Sequence, residues 1–416
     1  MSSATRVVDA PRNPLRPELP AHLAALFIAL LLGLQPLTTD LYLPALPTLT
    51  RELAAPMHLA QMTMAALMLS FGVAQLVWGP LADRFGRRPV LLTGLSLYLL
   101  ASVGGVLAPN IEALIVARVV QGAAMAAAVV CARAMVRDLY EPHEGAHVMS
   151  RGLSGLGVIA IASPTLGGLV AHWLGWRGAL AVVAIVGAIT LWAVWRKLPE
   201  TLAQRNPRAT QLRALAPAWW HILRNPTFFT WTALIAATYG GLFTLLSASS
   251  FVYIEVLGLN PGLFGVVLGS ASVSYLIGTV VCRRWLLRFG MAGAVGRGAL
   301  FTLAGGAVMG GFALAGVQSL WAMLIGHWLF CFGHGIHQPC GQAGAVGPFP
   351  QAAGAAAALA GFMLAFVAFF VGQWLGVSLD GTVRPMALCL GFWALVTSGI
   401  AWTLVQRHAL PRVATA

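Results

Sequence analysis

Twelve apolar runs, each about as long as a membrane is thick, determine what this chain can fold into. A helix needs about 20 apolar residues to cross the hydrocarbon core, and only helices and closed barrels satisfy their backbone polar groups there. Charged residues make up 9% of the chain, against roughly 25% in soluble domains. The sequence therefore predicts an all-α membrane protein with 12 transmembrane helices and no soluble domain. The predicted spans are 22–43, 58–79, 90–108, 112–133, 148–171, 176–196, 227–254, 262–283, 293–315, 320–342, 354–378 and 384–406.

The basic residues lie mostly on one side of these predicted spans. With an even number of spans and the N-terminus inside, only Arg51, Arg177 and Arg384 fall outside. This asymmetry follows the positive-inside rule, and it accounts for the net charge of +13 without a nucleic-acid partner. Both termini are therefore predicted to be cytoplasmic. The first 20 residues read as a polar tail, because the apolar run that follows has no small-residue cleavage site.

A polar stretch near the middle separates two sets of six predicted spans. This stretch, 197–226, is the longest polar segment after the N-terminal tail. The triplet Arg84–Gly86 after the second span recurs as Arg288–Gly290 after the eighth, which favours two parallel repeats. The predicted units are a cytoplasmic tail 1–21, an N-terminal half 22–196, a cytoplasmic linker 197–226, a C-terminal half 227–406 and a cytoplasmic tail 407–416.

A tight, charged turn, 79–92, joins the second and third predicted spans. Its glycines permit backbone conformations that are closed to other residues, and its prolines stop and start helices. The pattern resembles the signature between the second and third helices of the major facilitator superfamily. That resemblance implies two pseudo-symmetric six-helix halves around a central cavity. It also implies a conformational latch made of Gly79, Asp83, Arg84, Gly86, Arg87 and Arg88.

Very few ionisable residues lie inside the predicted spans, where a charge costs about 2.5–3.5 kcal/mol. Asp40 lies in the outer part of the first span, where apolar neighbours disfavour its charged form. Such a carboxyl group could load a proton outside and release it inside. It could instead cap the helix end or pair locally, since two prolines follow closely.

Arg118 is the second ionisable residue, in the fourth predicted span. The run Arg118–Gly122 resembles the superfamily's fourth-helix motif, which implies a role in proton coupling. That fold would bring Asp40 and Arg118 together around the cavity. The alternative is a structural arginine whose five donors are bonded to backbone carbonyls.

The fifth predicted span is rich in glycine and contains Pro164. Glycines let helices approach closely in lipid, and proline removes a backbone hydrogen bond and bends the helix. The pattern resembles the fifth-helix motif of drug–proton antiporters, with Ser163 where glycine is usual. The resemblance implies an antiporter motif of Gly157, Pro164, Gly167 and Gly168. Generic small-residue packing is the alternative.

Polar and aromatic residues on the spans are candidates for binding a substrate. His327, His334 and His337 in the tenth span are spaced to share one helix face, where they could relay protons, bind substrate or simply form neutral hydrogen bonds. We expect no metal site, because no carboxylate or thiolate accompanies them at ligand spacing, and the five cysteines fit packing roles. Aromatic surfaces suit amphipathic ligands. The candidate substrate-binding residues are Tyr42, Gln121, Tyr239, Phe243, His334, His337 and Gln338.

Several motifs together resemble the Bcr/CflA group of drug exporters within this superfamily. They are Asp40 with Tyr42–Pro47, the turn 79–92, Arg118–Gly122, Arg133–Tyr140, Pro199–Thr201 and, in the second half, Gly347–Gly354, where Gly347 replaces a usual acid. The resemblance implies proton-coupled efflux of a small amphipathic drug, bicyclomycin-like or phenicol-like, across the bacterial inner membrane. It also implies a monomer without a cofactor, whose partners are substrate, protons and lipid.

The sequence leaves one other class of protein open and disfavours a second. A facilitator or an exporter of a small metabolite, such as an amino acid or a sugar, would export drugs only incidentally. An enzyme is not predicted, because the acids in or near the spans (Asp40, Glu112, Glu255 and Asp380) do not supply a catalytic cluster. With one strong acid in the membrane domain, we expect at most one or two protons per cycle and a neutral or singly charged substrate.

Overall fold

Every regular element that the structure describes is helical. The structure is a computed structural model that describes residues 19–409, so most of the predicted tail 1–21 and part of the tail 407–416 lie outside the described residues. The helices are α1 (Ala21–Asp40), α2 (Leu46–Glu52), α3 (Met57–Phe85), α4 (Arg87–Val106), α5 (Ile111–Leu139), α6 (Pro142–Lys197), α7 (Leu212–Leu223), α8 (Pro226–Ser250), α9 (Pro261–Leu314), α10 (Leu320–Val346), α11 (Ala353–Ser378), α12 (Arg384–Trp402) and α13 (Leu404–His408).

Nine helical segments within the described residues are long and apolar enough to cross a membrane. Two of them, α6 and α9, are each interrupted by one glycine with non-helical backbone, Gly175 and Gly290, both at φ 66°. Each is therefore two consecutive helices joined at a sharp turn. Helix α10 is long enough for a span at 27 residues, but its three histidines make it less apolar than those nine segments.

The turn between the second and third spans is shorter than the predicted turn 79–92. Helix α3 continues through Pro80 to Phe85 and α4 begins at Arg87, so only Gly86 between them is non-helical, at φ 107°. The charges of this segment therefore lie on helix ends. The second copy of the triplet ends at Gly290, which also has a positive φ. Both glycines adopt backbone conformations that other residues rarely reach.

The helices pack in two groups. Helices α1, α3, α4, α5 and α6 contact one another, as do α8, α9, α10, α11 and α12. Contacts between the groups are made mainly where α3 packs on α11 and where α6 packs on α9. The linker 197–226 connects the groups and contains α7, so it is partly helical.

Small residues bring the two groups into backbone contact. A Cβ at Gly168 of α6 would overlap the Pro261 carbonyl of α9, and one at Gly265 would overlap the Pro164 carbonyl of α6. On the other side, a Cβ at Gly72 of α3 would overlap Ala365 of α11. Close approach at small residues is how helices associate where lipid removes the hydrophobic driving force.

The two groups are also joined by polar contacts at one end of the bundle. We call this the outer end, because Asp40, Gly175 and Ser250 lie on the side that the charge pattern predicts to be extracytoplasmic; the opposite end is the inner end. There Gln61 Nε2 donates to the Ser247 carbonyl at 2.9 Å, and Ser247 Oγ donates to Gln61 Oε1. The outer end is therefore closed.

Candidate functional site

A cavity of about 80 Å³ lies between the two helix groups. It is much smaller than the ~300–1,000 Å³ of pockets that enclose drug-sized ligands, so the groups must separate before such a ligand is enclosed. The first group contributes Gln35, Met68, Phe71, Gln75 and Arg133, and the second contributes Tyr239, Gln338, Gln342, Ala357, Gly361, Leu364 and Ala365. A larger groove of about 520 Å³ on α3, α5 and α11 is lined almost wholly by apolar side chains. That groove is on the outside of the bundle, where lipid tails lie.

Asp40 ends α1, one and a half turns beyond Gln35 in the cavity wall. The Thr39 hydroxyl lies 2.6 Å from Asp40 Oδ1 and 3.0 Å from the backbone carbonyl oxygen of Gln35. Within the described residues no cation lies within ion-pair distance of its carboxylate, so a neighbouring hydroxyl is its hydrogen-bond partner.

Arg118 is buried in the middle of the first group rather than exposed to the cavity. Its Nη1 donates to Gln121 Oε1 at 2.8 Å and to the Thr38 carbonyl at 3.3 Å. The guanidinium carbon lies 3.9 Å from the centre of the Tyr42 ring, a cation–π contact. The structure thus brings Arg118 next to the chain segment that carries Asp40, without an ion pair between the two.

Of the seven candidate substrate-binding residues, Tyr239 and Gln338 line the cavity. The other five are buried among protein atoms elsewhere. Tyr42 bonds Thr63, Gln121 bonds Arg118 and Ser102, Phe243 packs on Gly372, His334 bonds Thr238, and His337 bonds Thr302.

The histidines of α10 share a face, as their spacing predicts, but that face points into the second helix group. His334 Nδ1 lies 3.1 Å from Thr238 Oγ1 of α8, and His337 Nε2 lies 3.0 Å from Thr302 Oγ1 of α9. These bonds hold α10 to its neighbours within the group. His327 is buried in the same group, 6.3 Å from the Tyr253 ring.

Arg87 joins three helices of the first group at the inner end. Its Nη1 lies 2.6 Å from Asp83 Oδ1 at the end of α3, and its Nε lies 2.9 Å from Asp138 Oδ2 at the end of α5. Arg87 itself begins α4 and is 4% exposed. The pair of Arg87 with Asp138 is mostly buried, so removing one of its partners would leave an uncompensated charge.

Glu200 completes this cluster from the segment after α6. Its carboxylate accepts hydrogen bonds from the backbone amides of Arg87 and Arg88, at 2.8 Å and 3.3 Å. A helix N-terminus favours an anion, because its free amides and its dipole both point there. A Cβ at Gly86 would overlap the Glu200 carboxylate, which is a second reason for glycine at this position.

The remaining residues of the predicted latch contact the same inner surface. Arg84 Nη1 donates to Thr210 Oγ1 at 2.6 Å, and Arg88 Nη2 donates to the Trp195 carbonyl at 2.9 Å. Gly79 lies within α3, where a Cβ would come 3.9 Å from Val130 of α5. These contacts tie the charged segment to the first group and the linker.

The glycines of the fifth predicted span lie where α6 meets two other helices. A Cβ at Gly167 would overlap the carbonyl of Leu41, which directly follows Asp40, and Gly168 faces the start of α9. Gly157 faces Leu276 of α9 at 3.7 Å. Pro164 lies inside α6, so this motif forms the contact between the groups next to the Asp40 segment.

Gln35 and Gln75 line the cavity but were not among the predicted site residues, and Arg133 was recognised only as part of a family motif. The available signal was an amide in an otherwise apolar span. Such a group needs a hydrogen-bond partner or a polar cavity, because lipid offers neither.

Comparison with known proteins agrees with this architecture. The model of the Major Facilitator Superfamily matches residues 28–373. Multidrug resistance protein D of Escherichia coli is 29% identical over 81% of this chain and 84% of its own length. The bicyclomycin resistance protein homolog of Haemophilus influenzae is 25% identical over 93% of this chain and 97% of its own.

A third relative and a solved structure extend the comparison. The chloramphenicol resistance protein of Pseudomonas aeruginosa is 28% identical over 77% of this chain and 75% of its own. The crystal structure of a D-xylose–proton symporter superposes with a TM-score of 0.73 at 17% identity, covering 92% of this chain and 98% of the symporter. These relatives are transporters, and three carry the drug-resistance names expected of the Bcr/CflA group. The chain belongs to the Major Facilitator Superfamily.

Proposed function

We propose that this transporter exports small amphipathic drugs, bicyclomycin-like or phenicol-like, across the bacterial inner membrane in exchange for protons. The names of its relatives support the substrate class. The observation that carries proton coupling is Asp40, a carboxyl group at the outer end of α1 whose hydrogen-bond partner is a hydroxyl group rather than a cation. Such a group changes its charge by exchanging a proton.

The proposal includes twelve membrane-spanning helices in two pseudo-symmetric six-helix halves, 22–196 and 227–406, with both termini cytoplasmic. The turns at Gly175 and Gly290 support this count, since each divides a long helix into two spans. Helix α10 supplies the remaining span. The packing into two groups supports the halves.

Thr39 links the protonation state of Asp40 to the backbone of Gln35, a residue of the cavity wall. Its hydroxyl has one hydrogen but contacts two oxygens, the Asp40 carboxylate and the Gln35 carbonyl. An ionised Asp40 accepts the hydrogen bond from the Thr39 hydroxyl, and the backbone carbonyl of Gln35 then loses that hydrogen bond. A protonated Asp40 donates to Thr39 instead, which frees the Thr39 hydrogen for Gln35.

Alternating access then requires the outer contacts to open and the inner cluster to hold the first half rigid. The outer contacts are Gln61 with Ser247 and the ion pair of Arg51 with Glu255 at 3.1 Å. At the inner end, Arg87 and Glu200 hold the ends of α3, α4 and α5 together. We propose that this cluster is the latch and that protonation of Asp40 favours separation of the outer ends.

The test is transport in liposomes with an imposed pH gradient. Lumenal pH is followed while chloramphenicol is added to vesicles that contain wild type, Asp40→Asn or the control Asp380→Asn. Asp380 is an exposed carboxylate that bonds Thr382 in the segment before α12. We expect chloramphenicol-dependent proton movement in wild type and in the control, and its loss in Asp40→Asn.

Two results would contradict the proposal. Proton movement that survives Asp40→Asn would show that Asp40 is not the proton carrier, and the α10 histidines would be the next candidates. Chloramphenicol movement without any proton movement would indicate a facilitator, the alternative that the sequence left open.

A further inference from the structure

Arg133 is a cation in the cavity wall. It lies near the inner end of α5, and its side chain is exposed toward the cavity. None of the described residues forms a hydrogen bond or an ion pair with its guanidinium. Two arginines of this half are buried against protein. Arg87 pairs with two carboxylates. Arg118 bonds Gln121 and Thr38 through Nη1 and contacts the Tyr42 ring, while its Nε and Nη2 have no hydrogen-bond partner among the described residues.

Amide side chains surround Arg133. Gln35 and Gln75 line the same cavity from the first group, and Gln338 and Gln342 line it from the second. The Gln338 Oε1 atom is buried and has no hydrogen-bond partner among the described residues. None of the described lining residues is acidic. The cavity thus has net positive charge and several uncommitted polar groups.

This arrangement fits an anionic ligand better than a cation. A guanidinium presents paired donors that match the two oxygens of a carboxylate, and a cationic ligand would meet like charge without a counterion. Amide hydrogens add donors to the same oxygens. An apolar wall next to this polar region, formed by Met68, Phe71 and Leu364, suits the remainder of an amphipathic molecule.

We infer that Arg133 determines substrate specificity and that the preferred substrates are amphipathic molecules with a single carboxylate. The inference rests on the proposed proton-coupled export of amphipathic molecules, and it ranks carboxylates above neutral drugs such as chloramphenicol. It has an electrical consequence. Export of a monoanion against one entering proton carries two charges in the same sense, so a cytoplasm-negative potential drives the exchange, at about 2.3 kcal/mol per charge per 100 mV.

Binding of a matched pair of ligands tests the inference. The probes are 2-naphthoate and its neutral analogue 2-naphthamide, which share one ring system and differ in the head group. Equilibrium binding is measured on the full chain in lipid nanodiscs for wild type, Arg133→Gln, Arg133→Lys and the control Arg137→Gln. Arg137 lies one turn further along α5, carries the same charge and is not part of the cavity wall.

We expect wild type to bind naphthoate at least about tenfold more tightly than naphthamide, as a charge-assisted hydrogen bond predicts. Arg133→Gln should abolish this preference while its affinity for naphthamide stays within about twofold, and Arg133→Lys should restore part of it. The control should keep the wild-type preference. Thermal unfolding of each variant verifies that it is folded.

Equal binding of the two probes by wild type would overturn the inference, whatever the variants do. A naphthoate preference that persists in Arg133→Gln would overturn it as well. Failure of the proposed function is a separate result. Chloramphenicol export without a carboxylate preference would refute only the anion site, whereas a carboxylate preference without chloramphenicol-dependent proton movement would refute only drug–proton exchange.

Discussion

Gln61 offers the sharpest test of how the outer end is held closed. It is fully buried on α3 and makes two hydrogen bonds to Ser247 of α8, across the two helix groups. Both bonds must break when the outer ends separate. Gln61→Met keeps the length of the side chain and removes both bonds, so it should favour the outward-open state.

The size of the effect follows from hydrogen bonding within membranes. Interhelical side-chain bonds there contribute on average about 0.6 kcal/mol each, so loss of two changes the closed–open equilibrium by about 1.2 kcal/mol. This corresponds to about an eightfold shift toward the open state. The buried Ser247 hydroxyl, left without its partner in the closed state, adds to the shift in the same direction.

Spin-label distances measure this equilibrium directly. Labels at Leu174→Cys and Leu263→Cys, in a background with the native cysteines replaced by alanine, report the separation of α6 and α9 at the outer end, where both side chains are exposed. The control is Gln406→Met, because the described hydrogen bonds of Gln406 go to Ala292 and Ala401, both on the side of the second group. A closed–open ratio that changes less than twofold in Gln61→Met would refute the reasoning.

Three further predictions concern other contacts. Replacing Arg51 by Gln should shift the closed–open ratio reported by the same labels by less than about fivefold, because its ion pair with Glu255 is mostly exposed and such pairs contribute about 0–1 kcal/mol. Glu200→Ala should lower the free energy of unfolding by about 1–2 kcal/mol, measured by thermal unfolding in detergent, because four backbone amides lose their acceptor. Gly122→Ala should destabilise by about 1–3 kcal/mol, because its Cβ would overlap the Leu67 carbonyl, whereas Gly104→Ala, which faces open space, should not.

Much of the fold was predictable, because lipid leaves a chain few choices. A run of about 20 apolar residues can only form a spanning helix or part of one, and glycines mark the sharp turns. The helix ends were less predictable. Asp83 and Arg84 are residue types that favour loops, yet both lie in the last turn of α3. Charged side chains at a helix end can extend into water, and Asp83 pairs with Arg87 at the start of the next helix.

The candidate site was predictable in its residue types and less so in its contacts. Polar groups in apolar spans identified Asp40, Arg118 and the α10 histidines, but a span of known period still has several possible orientations. His334 and His337 share a face, and only the packing of α8 and α9 decides that this face is turned away from the cavity. Arg118 contacts the Tyr42 ring and the Gln121 amide rather than a carboxylate.

The glycine contacts between the two helix groups bear on the speed of the transport cycle. Where large side chains interlock, two surfaces move past each other only after several rotamers change, and each change adds to the activation barrier. At Gly168, Gly265 and Gly72 the facing surfaces are backbone and methyl groups, so few rotamers have to change. Residue size along these lines therefore acts on turnover number more than on affinity, and bulk added there would yield a protein that binds its substrate normally and cycles slowly.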